Sequence, residues 1–164
     1  MATVTRKLEI SWGANVLDIA NPEAFKFEVT YPDGHVLLFH GTSVDGARSL
    51  LEHGFSCKLA KQFVKEEKAI WPGQVDGADV HCFFPEGWAG EAFSFGSDAV
   101  ITHKQSGFCV VVASVSTQFK QAGKQTEVVV VKHVDEKNIH IQHVVEVKAS
   151  LKQLEKKSTG ETFA

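Results

Sequence analysis

Apolar and polar residues alternate in two stretches near the start of the chain. Lys7 to Trp12 alternates well enough for a strand, and Phe25-Lys26-Phe27-Glu28-Val29-Thr30-Tyr31 alternates more regularly, with Phe25, Phe27 and Val29 on one face. Pro32-Asp33-Gly34 has turn chemistry, so the pattern predicts a hairpin in which this strand pairs with His35 to Phe39. The period then changes. Ser43 or Asp45 can cap a helix in which Ala47, Leu50 and Leu51 share a face, Gly54 supplies the stop and Phe55 returns to the core. Ala60 to Ile70 carries Phe63, Val64 and Ile70 at the spacing of a second short helix, which the loop residues Trp71-Pro72-Gly73 and Asp76-Gly77 break.

The second half is richer in strands. Val80 to Phe84 reads as a strand closed by Pro85-Glu86-Gly87, and Trp88 to His103 as a helix made irregular or split by Gly90 and Gly96. Phe108 to Ser114 is almost continuously apolar, the mark of a central strand covered on both faces. A polar loop around Gly123 leads into the buried strand Glu127-Val128-Val129-Val130-Val131, and Ile139 to Val147 forms the last strand. The lysine-rich tail after Ala149 is expected to fray or to form a short helix. These elements make one domain over residues 1–164, with a core of about 25–148, an N-terminal strand extension 1–24 and a tail 149–164.

Composition narrows the chemistry. A chain of 164 residues with 43% hydrophobic and 23% charged residues can bury one sizeable core. A net charge of -3 gives no general attraction for nucleic acid or anionic lipid. Cys57, Cys82 and Cys109 lie far apart with no CxxC pair, which points to reduced thiols and not to a disulfide scaffold or a zinc ribbon. With no signal-peptide pattern and no apolar run near the length of a spanning helix, a cytoplasmic protein with no membrane partner is expected. His140 and His143, three apart on a strand, point to opposite faces and cannot chelate one metal there, and no HExxH, Walker loop or GxGxxG appears. Ser43 or Cys57 would need a positioned base to act as a nucleophile, and the lysines of Lys58 to Lys68 suit a solvated face.

One stretch brings several chemical groups together. Leu37-Leu38-Phe39 leads into His40-Gly41-Thr42-Ser43, and the helix follows at once, so a polar turn ending a strand would present an imidazole, an open glycine backbone and a hydroxyl. The ordinary structural use of such residues is a strand-ending turn with a partly buried histidine. The pattern from His40 to Phe55 also resembles the first motif of the ADP-ribosyltransferase superfamily, in the branch with the poly(ADP-ribose) polymerases and diphtheria-type toxins. The order of elements is similar from roughly Val36 to Val147.

That resemblance implies an α+β fold, a split β-sandwich of two antiparallel sheets with flanking helices, and NAD as substrate. It implies that His40 bonds the adenosine ribose, that the Gly41 backbone holds the nicotinamide amide, and that Thr42 completes the motif. Glu127, heading its strand, would stabilise an oxocarbenium-like transition state electrostatically, and Gln125 would complete a Q-x-E pattern and help select the acceptor. Related enzymes carry a tyrosine on the strand that here reads Val80 to Phe84. The only tyrosine is Tyr31, so His81 or Phe84 is left to stack on nicotinamide, and Ser97, or else Ser94, to bond its amide. The missing tyrosine argues against polymer synthesis and for NAD hydrolysis or mono-ADP-ribosyl transfer to a protein, or to a nucleic acid, with Thr117 to Lys124 as an acceptor-facing loop that either presents Phe119 or packs it inward. Two alternatives stand beside it. One is an inactive module that binds NAD, ADP-ribose or a protein. The other is an NAD-dependent RNA 2′-phosphotransferase, disfavoured because Arg6 and Arg48 are the only arginines available for holding phosphates.

Overall fold

The computed structural model describes residues 2–10, 26–56, 58, 80–101, 104, 107–122 and 128–148. The expected helix over Ala60 to Ile70, the loop after it, the head of the strand at Gln125 to Glu127 and the lysine-rich tail lie outside them. Strands β1 (Thr3–Glu9), β2 (Lys26–Pro32) and β3 (His35–Ser43) are followed by helix α1 (Val44–His53) and strand β4 (Val80–Pro85). A 3-10 turn (Glu86–Trp88) opens into helix α2 (Ala89–Ile101). Strands β5 (Gly107–Ser116), β6 (Lys120–Ala122) and β7 (Val129–Lys132), a 3-10 helix (His133–Asn138) and β8 (His140–Lys148) complete the order.

The fold is mixed α and β, with two antiparallel sheets and few helices among the described residues. The larger sheet runs β6-β7-β4-β3-β5-β8, and β1 pairs with β2 to form the smaller one. The expected pairing of β2 with β3 is therefore corrected. The chain reverses at Asp33-Gly34, where Gly34 takes φ 84°, but it crosses from one sheet to the other. Local turn chemistry specified the reversal, whereas the partner was decided by apolar faces: Leu8, Val29 and Tyr31 pack with Leu37, Phe39 and Phe84 in one core cluster.

Strand β5 holds the larger sheet together. Its burial is continuous from Gly107 to Val115, and it pairs with β3 over nine residues and with β8 on its other side. Packing covers both faces of this sheet. On one, α2 and the smaller sheet meet Phe39, Phe108, Val110 and Val112. On the other, Ala47 of α1 and Phe55 meet Leu38, Phe83, Val111 and Val131.

The helices show how side-chain size sets these contacts. Ser43 caps α1 by accepting from the Gly46 amide at 2.9 Å, and Gly54 closes it at φ 74°, its amide donating to the Leu50 carbonyl at 2.8 Å. Leu51, expected on the inner face, is instead 61% exposed, while Ala47 is buried and Leu50 partly so. The expected break in the second helix is also corrected, because α2 is continuous through Gly90 and Gly96. Gly96 serves close packing: a Cβ there would stand 2.5 Å from the Phe108 ring. Among the described residues no helix is long and apolar enough to cross a membrane.

Candidate functional site

The His-Gly-Thr run is not a turn. His40, Gly41 and Thr42 lie inside β3, opposite Val111, Val110 and Cys109 of β5. What distinguishes this end of the strand is its other edge. The ladder between β3 and β4 stops after Leu38↔Pro85 and Phe39↔Phe84, although β4 continues back to Val80. In the gap the His40 imidazole replaces main-chain pairing, with Nδ1 3.0 Å from the Cys82 carbonyl oxygen. A carbonyl only accepts, so Nδ1 carries the proton and Nε2 is the acceptor nitrogen of this ring.

Strand alternation sorts the candidate residues onto two faces of the sheet. His40 shares its face with Leu38, and His81 with Phe83, on the side covered by α1 and Phe55. Here Phe55 is the hub. Its ring stands edge-on to His40 at 5.5 Å and 80°, and edge-on to His81 at 5.4 Å and 80°, and tilts against Phe83 at 5.1 Å. Phe83 also lies 5.7 Å from His40. Thr42 belongs to this face by alternation and crowds the start of α1, where a Cβ on Gly46 would overlap its hydroxyl.

Gly41, Phe84 and Ser97 lie on the opposite side. A Cβ on Gly41 would overlap the Ala92 carbonyl oxygen of α2 and come within 2.6 Å of the Gly96 nitrogen. Helix backbone therefore occupies the space that the absent side chain leaves. Phe84 stacks on Phe95 of α2 at 5.3 Å and 30°, and the buried Ser97 hydroxyl donates to the Ser94 carbonyl at 2.7 Å, inside its own helix. The structure thus brings His40 and His81 together around Phe55 and directs Phe84 and Ser97 elsewhere. Gln125 and Glu127 lie outside the described residues.

Electrostatics make the ring cluster neutral at its centre. Burial pushes the His40 imidazole below its ordinary value, and His81 adds to this, outweighing the Cys82 carbonyl. His81 is also lowered, first by burial, although Glu136 opposes the shift and His133 reinforces it. Its Nε2 lies 3.0 Å from Glu136 Oε2, and because a carboxylate accepts, Nε2 is the donor. Burial also raises the Cys82 thiol, so it is uncharged at neutral pH.

Three residues here lie beyond the site residues that the sequence identifies. Phe83 was accessible in principle, since period-two alternation puts it with His81 and away from Phe84. The apolar pattern places Phe55 in the core and gives no further signal for it. Glu136 had no sequence signal, because it reaches His81 from the 3-10 helix, 55 residues along the chain. Among the described residues no group of three or more His, Cys, Asp or Glu side chains is arranged to hold a metal ion. No family model, no curated protein and no solved structure matches this chain.

Proposed function

We propose that the chain is an NAD-dependent mono-ADP-ribosyltransferase, with an ADP-ribosyltransferase-like split β-sandwich, that cleaves the nicotinamide glycosidic bond and passes ADP-ribose to a macromolecular acceptor, a protein before a nucleic acid. The observation that carries this reading is the strand order. β4, bearing His81, lies between β3, bearing His40 to Thr42, and β7, the strand that Gln125 and Glu127 precede. The elements that resemble the family's motifs are therefore adjacent strands of one sheet.

In this reading the acceptor nitrogen Nε2 of His40 takes a hydrogen bond from a ribose hydroxyl, while Cys82 holds the tautomer from the other side. Phe83 and His81 supply flat surface to the nicotinamide end, once Phe55 yields its place between the imidazoles. Glu127 stabilises the positive charge that develops on the ribose as neutral nicotinamide departs, and Gln125 contacts the acceptor. Incubation with NAD labelled in the adenosine half gives labelled acceptor and free nicotinamide, and Glu127→Ala abolishes both. Undiminished turnover in that variant overturns the role of Glu127.

Binding without turnover is the second reading. It is favoured by Phe55, which already fills the space between His40 and His81, and by the burial of His81. Calorimetric NAD binding with no nicotinamide release selects it. The RNA 2′-phosphotransferase reading finds less support, because Arg6 is forked onto Glu86 and Arg48 lies 3.8 Å from Asp45.

A further inference from the structure

We infer that His35 and His140 form a two-histidine site for a divalent transition-metal ion of the zinc-to-copper class, on the opposite face of the larger sheet from His40 and His81. The site is independent of the NAD reading.

Register assembles it. β3 and β8 do not pair with each other, because β5 lies between them. Strands two places apart in a sheet are separated by roughly 10 Å. The rings of His35 and His140 nevertheless have their centroids 6.0 Å apart and their planes 33° from each other, so both side chains lean inward across β5. Opposite them on β5 stand Ser116 and Ser114, whose short side chains leave the space above the strand to the imidazoles. Alternation groups His35 with Leu37 and Phe39, and so away from Leu38 and His40.

A bulge decides which histidine of β8 meets His35. The pairing of β5 with β8 shifts between Val112 and Ala113, which sets His140 opposite Ser114 and His143 opposite Val112. Ser114 and Val112 are two apart on β5, so His140 and His143 share a face, against the opposite faces expected from simple alternation. His143 is engaged there by Phe27, the two rings stacked at 4.2 Å and 13°. Among the described residues no third His, Cys, Asp or Glu side chain completes a metal-holding group. The site is thus a two-point chelate with water in the remaining positions.

Two observations favour an ion. Imidazoles bound to one ion through nitrogen bonds of about 2.0–2.1 Å have centroids roughly 5–6 Å apart, which the observed spacing matches. His35 Nδ1 is withdrawn from solvent and has no hydrogen-bond partner among the described residues. A buried polar atom left unmatched is costly, and a nitrogen–metal bond supplies the missing partner. His140 is exposed and gives the ion a route from solvent. Imidazole suits zinc, nickel and copper, whereas magnesium takes oxygen ligands.

The test is calorimetric titration of the whole chain with Zn²⁺ and with Mg²⁺. The wild type binds Zn²⁺ and not Mg²⁺. His35→Gln and His140→Gln each weaken Zn²⁺ binding by about a hundredfold, because a chelate then loses its second, intramolecular contact. His143→Gln keeps the wild-type affinity. His140 is exposed, so its variant carries the test should His35→Gln fail to fold. No Zn²⁺ binding by the wild type, undiminished binding in His140→Gln, or an equal loss in His143→Gln overturns the site, and none of these outcomes bears on NAD binding.

Discussion

Gly41 of β3 lies directly beneath the Ala92 carbonyl oxygen of α2, with the Gly96 nitrogen beside it. Strand and helix approach at backbone distance there, and neither can yield cheaply, because each is fixed by its own hydrogen-bond ladder. Gly41→Ala is therefore expected to cost about 2–3 kcal/mol through overpacking. Gly90 begins the same helix with open space around its Cβ position, so Gly90→Ala should instead stabilise by about 0.5–1 kcal/mol. Urea unfolding of the two variants separates the effects, and equal midpoints would contradict this account of the contact.

Acid should weaken the fold. His35, His40, His81 and His143 all have lowered values, each first through burial. The unfolded chain then binds protons at a higher pH than the folded one. Stability is fully present above the unfolded histidine value of 6.5 and falls as pH drops below it. Each histidine protonated only in the unfolded state contributes a slope of up to about 1.4 kcal/mol per pH unit. His40→Gln should flatten the profile measured by denaturant unfolding from about pH 7 to pH 5; a profile as steep as that of the wild type argues that His40 does not take part.

Phe55 and Leu51 belong to the same short segment yet should respond very differently. Phe55→Ala empties a place between two imidazoles and Phe83 and is expected to cost about 3–5 kcal/mol. Leu51→Ala removes an exposed side chain and should stay within about 0.5 kcal/mol. Thermal unfolding of both variants decides whether the ring contacts hold this segment.

Arg6 joins the smaller sheet to the turn after β4 by a two-pronged contact with Glu86, at 2.7 and 3.0 Å. Both side chains are about two-fifths exposed, so solvent screens the pair, and a double-mutant cycle through Arg6→Ala and Glu86→Ala should give a coupling of about 0.5–1 kcal/mol. That coupling should shrink in high salt, and a salt-independent value would point to packing of the arginine stem in its place.

The elements legible in the sequence are those whose own pattern settles their burial. The apolar run of β5 could only be a covered strand, and Ser43 and Gly54 mark α1 through local backbone chemistry. Long-range pairing decided the rest. Pro32 to Gly34 announces a reversal but cannot say that β2 will turn away to β1. Gly96 looks like a helix break because sequence alone does not show the Phe108 ring against it. The site divides in the same way. His40 and His81 stand out by residue type and local order, whereas Glu136 joins them only through the fold.

The nine-residue pairing of β3 with β5 also has a consequence in time. As the chain is synthesised, Leu37, Leu38 and Phe39 emerge long before Val112, Ala113 and Ser114, and β4 offers β3 only two paired positions in the interval. The strand that carries His40 is thus a late-completed part of the molecule, exposed to aggregation or chaperone capture until β5 leaves the ribosome. Chains stalled before Gly107 should be held by a holdase, and chains that have released Ser116 should escape it.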